Sequence, residues 1–402
     1  MNTRPDLTFK HNIKQGRHGW LRLTPAYSVK VVHEILAAQP SWRYVLDPFS
    51  GTGTTGLVCA ELGLACDLLD INPFLVWFAK VKTANYSPAQ RQAAQRATSE
   101  IVRELKTVNG AGELWFPPIK NIERWWTESR QALLAQIHQA IEDRFPIETP
   151  AKNLLLVAFC RLVIEWSNAA FNHQSMSFKN HRPTLFDAIE RDELLAHFAL
   201  AVKHIGETAS GHLPGRVQAR REDSRNVPRP SGQLYDAVIT SPPYPNRMSY
   251  IRELRPYMYW LGYLREAREA GELDWQAIGG TWGIATSRVE KWQPNDWQVK
   301  HPGFAEMVDE IGAQSKVLAN YIYKYFVDAT QHLDSLYHTL APGGRVFYVV
   351  GNSKFFDTLV PVENIYASLL KEAGFAQIQI NVLRKRNSKK ELREMLVSAT
   401  KL

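Results

Sequence analysis

Two short apolar runs that each end in an aspartate, with a glycine-rich turn between them, constrain this chain more than any other feature. Tyr44-Val45-Leu46 stops at Asp47, and the turn Asp47-Pro48-Phe49-Ser50-Gly51-Thr52-Gly53-Thr54-Thr55-Gly56 follows. A helical stretch then covers about Thr55 to Leu62, and a second apolar run from Cys66 to Ile71 carries Asp70 at its end. Strand, glycine turn, helix and strand form a βαβ unit, so a parallel sheet is expected with a ligand at its carboxyl edge. The spacing of Gly51, Gly53 and Gly56 fits a dinucleotide fingerprint as well as an S-adenosyl-L-methionine loop, so the glycines do not separate these cofactors. No Lys follows Gly56, which argues against a phosphate-gripping P-loop. Asp47 separates the candidates. A carboxylate just before the turn repels a pyrophosphate and suits the positive amino group of a methionine moiety. Asp70 is placed to accept hydrogen bonds from ribose hydroxyls.

A second motif carries the chemistry. Leu234 to Ile239 reads as a strand running into Thr240-Ser241-Pro242-Pro243-Tyr244. Two consecutive prolines stiffen the strand end and remove two N–H donors, which leaves the Ser241 and Pro242 carbonyls as acceptors. That environment suits an amino group with two hydrogens to donate, and Tyr244 offers a face on which a flipped base can stack. An exocyclic amine is a poor nucleophile because its lone pair is delocalised into the ring. Hydrogen bonds to both of its protons favour a more tetrahedral nitrogen, able to attack an activated methyl group in line. Methylation at cytosine carbon 5 is set aside, because it needs a Cys nucleophile and none of Cys59, Cys66 and Cys160 follows a proline.

Around these motifs the chain divides into three parts: an amino-terminal part of the catalytic domain over 1–84, a mostly helical insertion over 85–215, and the rest of the catalytic domain over 216–402. A helix is expected from Ser28 to Ala38. In the insertion, apolar residues at helical spacing mark 88–108, 128–144, 150–168 and 185–206. Further strands are expected at Arg216–Ala219, at Arg345–Val350 after the turn Pro342-Gly343-Gly344, and as a terminal pair at Gln377–Leu383 and Met395–Ala399. The formal net charge of +8 suits a polyanionic partner. Three scattered cysteines and histidines without ligand spacing predict neither a disulfide framework nor a metal site. The start of the chain is polar, and the longest apolar run, Leu154 to Trp166, is broken by Arg161. No membrane span and a cytoplasmic location are therefore expected.

Together, Asp-Pro-Phe-Ser-Gly-Thr-Gly-Thr-Thr and Thr-Ser-Pro-Pro-Tyr resemble the amino-methyltransferases of restriction–modification systems. The resemblance covers about 1–84 and 216–402. It implies an α/β, Rossmann-like class I S-adenosylmethionine-dependent methyltransferase sheet acting on double-stranded DNA with base flipping. It also implies a cognate restriction enzyme as a partner. Ser-Pro-Pro-Tyr looks like the form typical of cytosine-N4 enzymes, whereas adenine-N6 enzymes more often carry Asp or Asn where Ser241 stands. An RNA guanine-N2 methyltransferase shares both loops and stays open as an alternative. By this likeness Asp47, Phe49, Gly51, Gly53, Thr54 and Thr55 hold the cofactor, with Asp70 and Ile71 at the ribose. Asp223 and Ser224 lie near the adenine ring, and Ser241, Pro242, Pro243 and Tyr244 form the catalytic loop. Thr24-Pro25-Ala26-Tyr27-Ser28 resembles the motif beside the methionine pocket, with Thr24 in place of the usual His.

Four further stretches have the composition of a nucleic-acid surface. Ile164–Asn168 and His173–Lys179 form a polar, aromatic cluster. Tyr250–Tyr263 mixes arginines with aromatics, which fits either base stacking or a core helix. Trp282, Trp292 and Trp297 lie with Arg288, Lys291 and Lys300 in a stretch that reads as an irregular DNA-facing loop. Arg384–Lys390 is a basic loop expected to contact phosphate.

Overall fold

Seven strands form one sheet in the computed structural model, which describes residues 5–21, 27–107, 113–170, 177–178, 187–294, 296–386 and 391–402. They are β1 (Tyr44–Asp47), β2 (Ala65–Asp70), β3 (Val217–Arg221), β4 (Tyr235–Thr240), β5 (Leu340–Gly351), β6 (Phe375–Lys385) and β7 (Arg393–Lys401). Their order is β6-β7-β5-β4-β1-β2-β3. Strand β7 runs antiparallel to both neighbours, and the remaining pairs are parallel. This is a Rossmann-like, mostly parallel sheet carrying a large helical insertion.

The central strands are apolar along their length because both sheet faces are covered. Val45, Leu46, Ala237, Val238 and Ile239 are all fully buried. From β1 the chain first builds outward through β2 and β3, then returns to place β4 on the other side of β1. Strand order therefore reverses between β1 and β4, and a crevice opens at their carboxyl ends, at Asp47 and Thr240. The turn expected at Pro342-Gly343-Gly344 lies inside β5 as a slip in register. Leu340 pairs with Tyr235, and the next pairing is Arg345 with Ala237. Gly343, at φ 76°, lets the extra residues loop out.

Helix α1 (Val29–Ala37) is capped by Ser28, whose hydroxyl accepts from Lys30 N at 3.2 Å. Helix α2 (Thr54–Glu61) leaves the glycine turn, and α3 (Pro73–Thr83) follows β2. The insertion is the helical block its periodicity predicts: α4 (Pro88–Thr107), α5 (Glu128–Arg144), α6 (Pro150–Glu165) and α7 (Asp187–Thr208). Its core of Trp125, Trp126, Leu155, Phe159 and Phe198 is continuous with Phe74 and Phe78 of α3 and with Tyr257 and Trp260 of α8 (Tyr250–Trp260). The insertion thus packs directly against a helix that walls the crevice. Beyond α8 the sequence reading left several helices unassigned, Ala267–Gln276, Phe304–Gly312 and Val362–Glu372 among them. The stretch read as an irregular loop contains α9 (Ile284–Lys291), and α10 (Lys316–Tyr337) is a 22-residue helix that the sequence pattern left unassigned.

Candidate active site

A cleft of about 1000 Å³, counting its open mouth, lies at the carboxyl ends of β1, β2 and β4. The glycine turn forms its floor. Gly51 (φ 49°) and Gly53 (φ 70°) adopt left-handed backbone, and Gly53 precedes the first turn of α2. A Cβ on Gly56 would stand 2.5 Å from Leu68 Cδ1, so glycine there lets α2 lie close on the sheet. Asp70 closes the end of β2. Its carboxylate accepts from Gly51 N at 3.0 Å and Asn72 N at 2.8 Å. Burial pushes its pKa up to about 7, against those two stabilising N–H groups. Pro48, Phe49, Ser50, Thr54, Ile71 and Asp223 border the same cleft, as do Ser224, Ser241 and Pro243.

Asp47, Gly53, Thr55, Pro242 and Tyr244 do not line it. Asp47 sits one layer beneath, fully buried. It accepts from Phe49 N at 3.1 Å, Thr55 Oγ1 at 2.7 Å and Thr240 Oγ1 at 2.5 Å. Thr55 also bonds Tyr27. One carboxylate therefore ties the glycine turn, the start of α2 and the end of β4 into a single unit. Burial pushes the Asp47 pKa up to about 6, against the hydrogen bonds from Thr240 and Thr55.

The proline loop is fastened by hydroxyl groups. Ser241 Oγ donates to Val349 O at 3.1 Å, and the Tyr325 hydroxyl donates to Pro243 O at 2.7 Å. Tyr244 N donates to the Tyr250 hydroxyl at 3.3 Å, and Arg247 N to the Tyr321 hydroxyl at 3.2 Å. Among the described residues no hydrogen bond ends on the Ser241 or Pro242 carbonyl. Tyr321 and Tyr325 lie on α10, which the sequence reading passed over. Tyr250, Ile251 and Leu254 of α8 add an aromatic and aliphatic wall. Of the two readings open for Tyr250–Tyr263, base stacking or core, the buried Tyr257, Tyr259 and Trp260 of α8 serve as core.

At the far side of the cleft, Asp223 caps a short turn, and its carboxylate pairs with Arg225 at 2.6 Å. Partial burial opposes its charge, but the Arg225 hydrogen bonds prevail and hold the carboxyl below its usual range. Arg225 also reaches Asp328 at 3.3 Å. The Ser224 carbonyl accepts from His332 Nδ1 at 2.7 Å, so the proton of the neutral ring sits on Nδ1. Nε2 is then the acceptor for the Tyr348 hydroxyl at 2.7 Å. Full burial pushes the His332 pKa down to about 4, which keeps this tautomer fixed near neutrality. The His332 ring meets Phe49 edge-on at 4.8 Å.

Several charges read from the sequence as phosphate contacts are committed within the fold. Arg288 pairs with Glu272 at 2.6 Å, Lys300 with Glu372 at 2.9 Å, and Arg384 with Glu394 at 2.7 Å. Trp292 packs on Tyr323, and Trp166 donates to His197 within the insertion at 3.2 Å. The segments 22–26, 171–176, 179–186 and 387–390 lie outside the described residues. They include Thr24 to Ala26, most of the His173–Lys179 cluster, and the basic residues Lys389 and Lys390. Among the described residues no group of His, Cys, Asp or Glu could hold a metal ion, and no helix is long and apolar enough to cross a membrane.

The cleft suits a positively charged adenosyl cofactor. Asp70 presents an acceptor at the strand end, Ile71, Leu75 and Ile278 supply apolar walls, and the left-handed Gly51 lets the backbone approach closely. No family model matches the chain. It is similar to type II methyltransferase M.BsoBI of Geobacillus stearothermophilus, at 22% identity over 94% of this chain and 82% of that protein. It is also similar to M.MvaI of Kocuria varians (21%, 87% and 79%) and M.AvaI of Nostoc sp. strain PCC 7120 (21%, 95% and 83%). Among solved structures, TrmN from Thermus thermophilus aligns with a TM-score of 0.31 at 13% identity, over 98% of this chain and 52% of that one, too loosely to compare sites. The chain is thus similar to proteins named type II methyltransferases over most of its length.

Proposed function

We propose that this chain is a DNA methyltransferase that transfers the methyl group of S-adenosylmethionine to the exocyclic N4 of a flipped-out cytosine. One observation carries the reading. Ser241 and Pro243 of the proline loop border the same cleft as the glycine turn and Asp70, and Asp47 bonds Thr240 directly at 2.5 Å. Donor site and acceptor site are thus parts of one rigid unit. Homology to proteins named type II methyltransferases supports the same conclusion.

The cofactor supplies a methyl group activated by a sulfonium centre. The chain does the rest by binding and orientation. Asp70 accepts from the ribose hydroxyls, while Phe49, Ile71 and Ile278 enclose the adenine. Asp47 and Asp70 give the cleft a negative field that favours the cationic donor. The Ser241 and Pro242 carbonyls accept the two amine hydrogens, and Tyr244, beside the cleft and not in its lining, is the ring that meets the face of the extruded base. Tyr325, Tyr321 and Tyr250 hold the loop backbone so that the acceptors are in place before the base arrives.

The test is methyl-tritiated cofactor offered with duplex DNA, transfer RNA and ribosomal RNA in parallel. Label entering DNA alone is expected. Label entering only RNA favours the guanine-N2 alternative and overturns the proposal.

A further inference from the structure

The Tyr244 side chain of the proline loop reaches across to β7. Its hydroxyl donates to Glu394 Oε1 on β7 at 3.0 Å. Glu394 is only 6% exposed. Its charge is balanced by Arg384 of β6, which donates from Nε to Oε2 at 2.7 Å and from Nη2 to Oε1 at 3.2 Å. Against the tyrosine ring lies Gly351, at the end of β5. A Cβ there would stand 2.7 Å from Tyr244 Cε2 and 2.8 Å from Cδ2. Gly351 is not among the positive-φ glycines, so its lack of a side chain provides room for the ring rather than backbone freedom. Arg386 adds a guanidinium 5.5 Å from the ring centroid, and its Nη1 donates to Asn352 O at 3.1 Å.

We propose that Glu394 and Gly351 are positioning residues that set the place and tilt of the Tyr244 ring. This rests on the reading that Tyr244 meets the target base. A ring on a short loop has two free torsions, and a flat base rewards only one orientation. Tethering the hydroxyl to a buried carboxylate, and seating the ring on a bare backbone, removes that freedom before DNA binds. Arg384 acts through Glu394, and Arg386 through the ring itself. These two arginines of the basic loop belong to the support of the site.

The experiment uses the full chain labelled with 3-fluorotyrosine. Tyr244→Phe identifies the Tyr244 fluorine line by its loss, and Tyr325→Phe identifies a reference line. Glu394→Ala and, independently, Gly351→Ala are expected to shift the Tyr244 line and leave the Tyr325 line in place. In single-turnover methylation of duplex DNA, Tyr244→Phe is expected to slow transfer about fivefold, the loss of one hydrogen bond, with cofactor affinity unchanged. In the Glu394→Ala background the same change should cost less than about twofold, because the tether is already gone. Additive losses, or a Tyr244 line unmoved in both alanine variants, overturn the proposal. A wild-type chain that transfers nothing to DNA overturns the proposed function instead, and the fluorine shift still decides whether Glu394 and Gly351 hold the ring.

Discussion

Replacing Asp47 by Asn separates the two things this carboxylate does. Its pKa stands at about 6 in the fold against an ordinary 3.8, and the first cause is burial. A raised acid pKa means the folded state holds its proton more tightly than the unfolded chain. The resulting stability is full below pH 3.8 and lost as pH rises through about 6. The shift corresponds to about 3 kcal/mol at neutral pH, of which roughly half falls between pH 5 and 8. Asparagine keeps the shape and can still accept from Thr240 and Phe49 N. Its amide can donate to Thr55, whose own proton then turns to Ile239 O, now 3.1 Å away. The variant should therefore gain stability relative to wild type as pH rises from 5 to 8, by on the order of 1 kcal/mol in urea unfolding. Cofactor affinity should fall, since the cation loses a negative charge beneath the loop. A stability difference that stays flat across that pH range refutes the burial argument. Unchanged affinity removes Asp47 from the electrostatics of binding.

Cofactor affinity should weaken as pH drops below about 7, by up to tenfold per unit, because protonated Asp70 loses acceptor capacity at the ribose; calorimetry showing one constant from pH 6 to 8 contradicts this. Tyr325→Phe frees the Pro243 carbonyl and should lower kcat about fivefold while leaving cofactor affinity unchanged, measured by steady-state kinetics beside cofactor titration. Gly56→Ala forces a methyl group into Leu68 and should destabilise the fold by about 1–3 kcal/mol, read by chemical denaturation.

The parts of this fold governed by local rules were legible in the sequence. Asp47, the three glycines and Asp70 define their own βαβ unit, because strand ends and tight turns require those residue types. The insertion helices follow from apolar spacing alone. Long-range partners were not legible. Whether Arg384 meets phosphate or Glu394 depends on strand pairing between β6 and β7, which the charge pattern does not reveal. Helix α10 has an apolar face at helical spacing and was open to the same reading, whereas its buried Lys324–Asp328 pair is a detail that spacing does not show. The tyrosine hydroxyls that fasten the proline loop come from that helix and from α8, and tyrosines in an aromatic-rich stretch read equally well as core. Asp47 was assigned to the ligand from its place before the turn. The fold buries it instead against Thr55 and Thr240, a partnership across 193 residues that spacing cannot show.

The central claim is that this cleft methylates an exocyclic amine of a base in DNA. Its most direct measurement is mass spectrometry of nucleosides from duplex DNA incubated with the full chain and S-adenosylmethionine. The account predicts N4-methylcytosine. Methylation on a ring carbon, or DNA nucleosides that carry no methyl group at all, would contradict it.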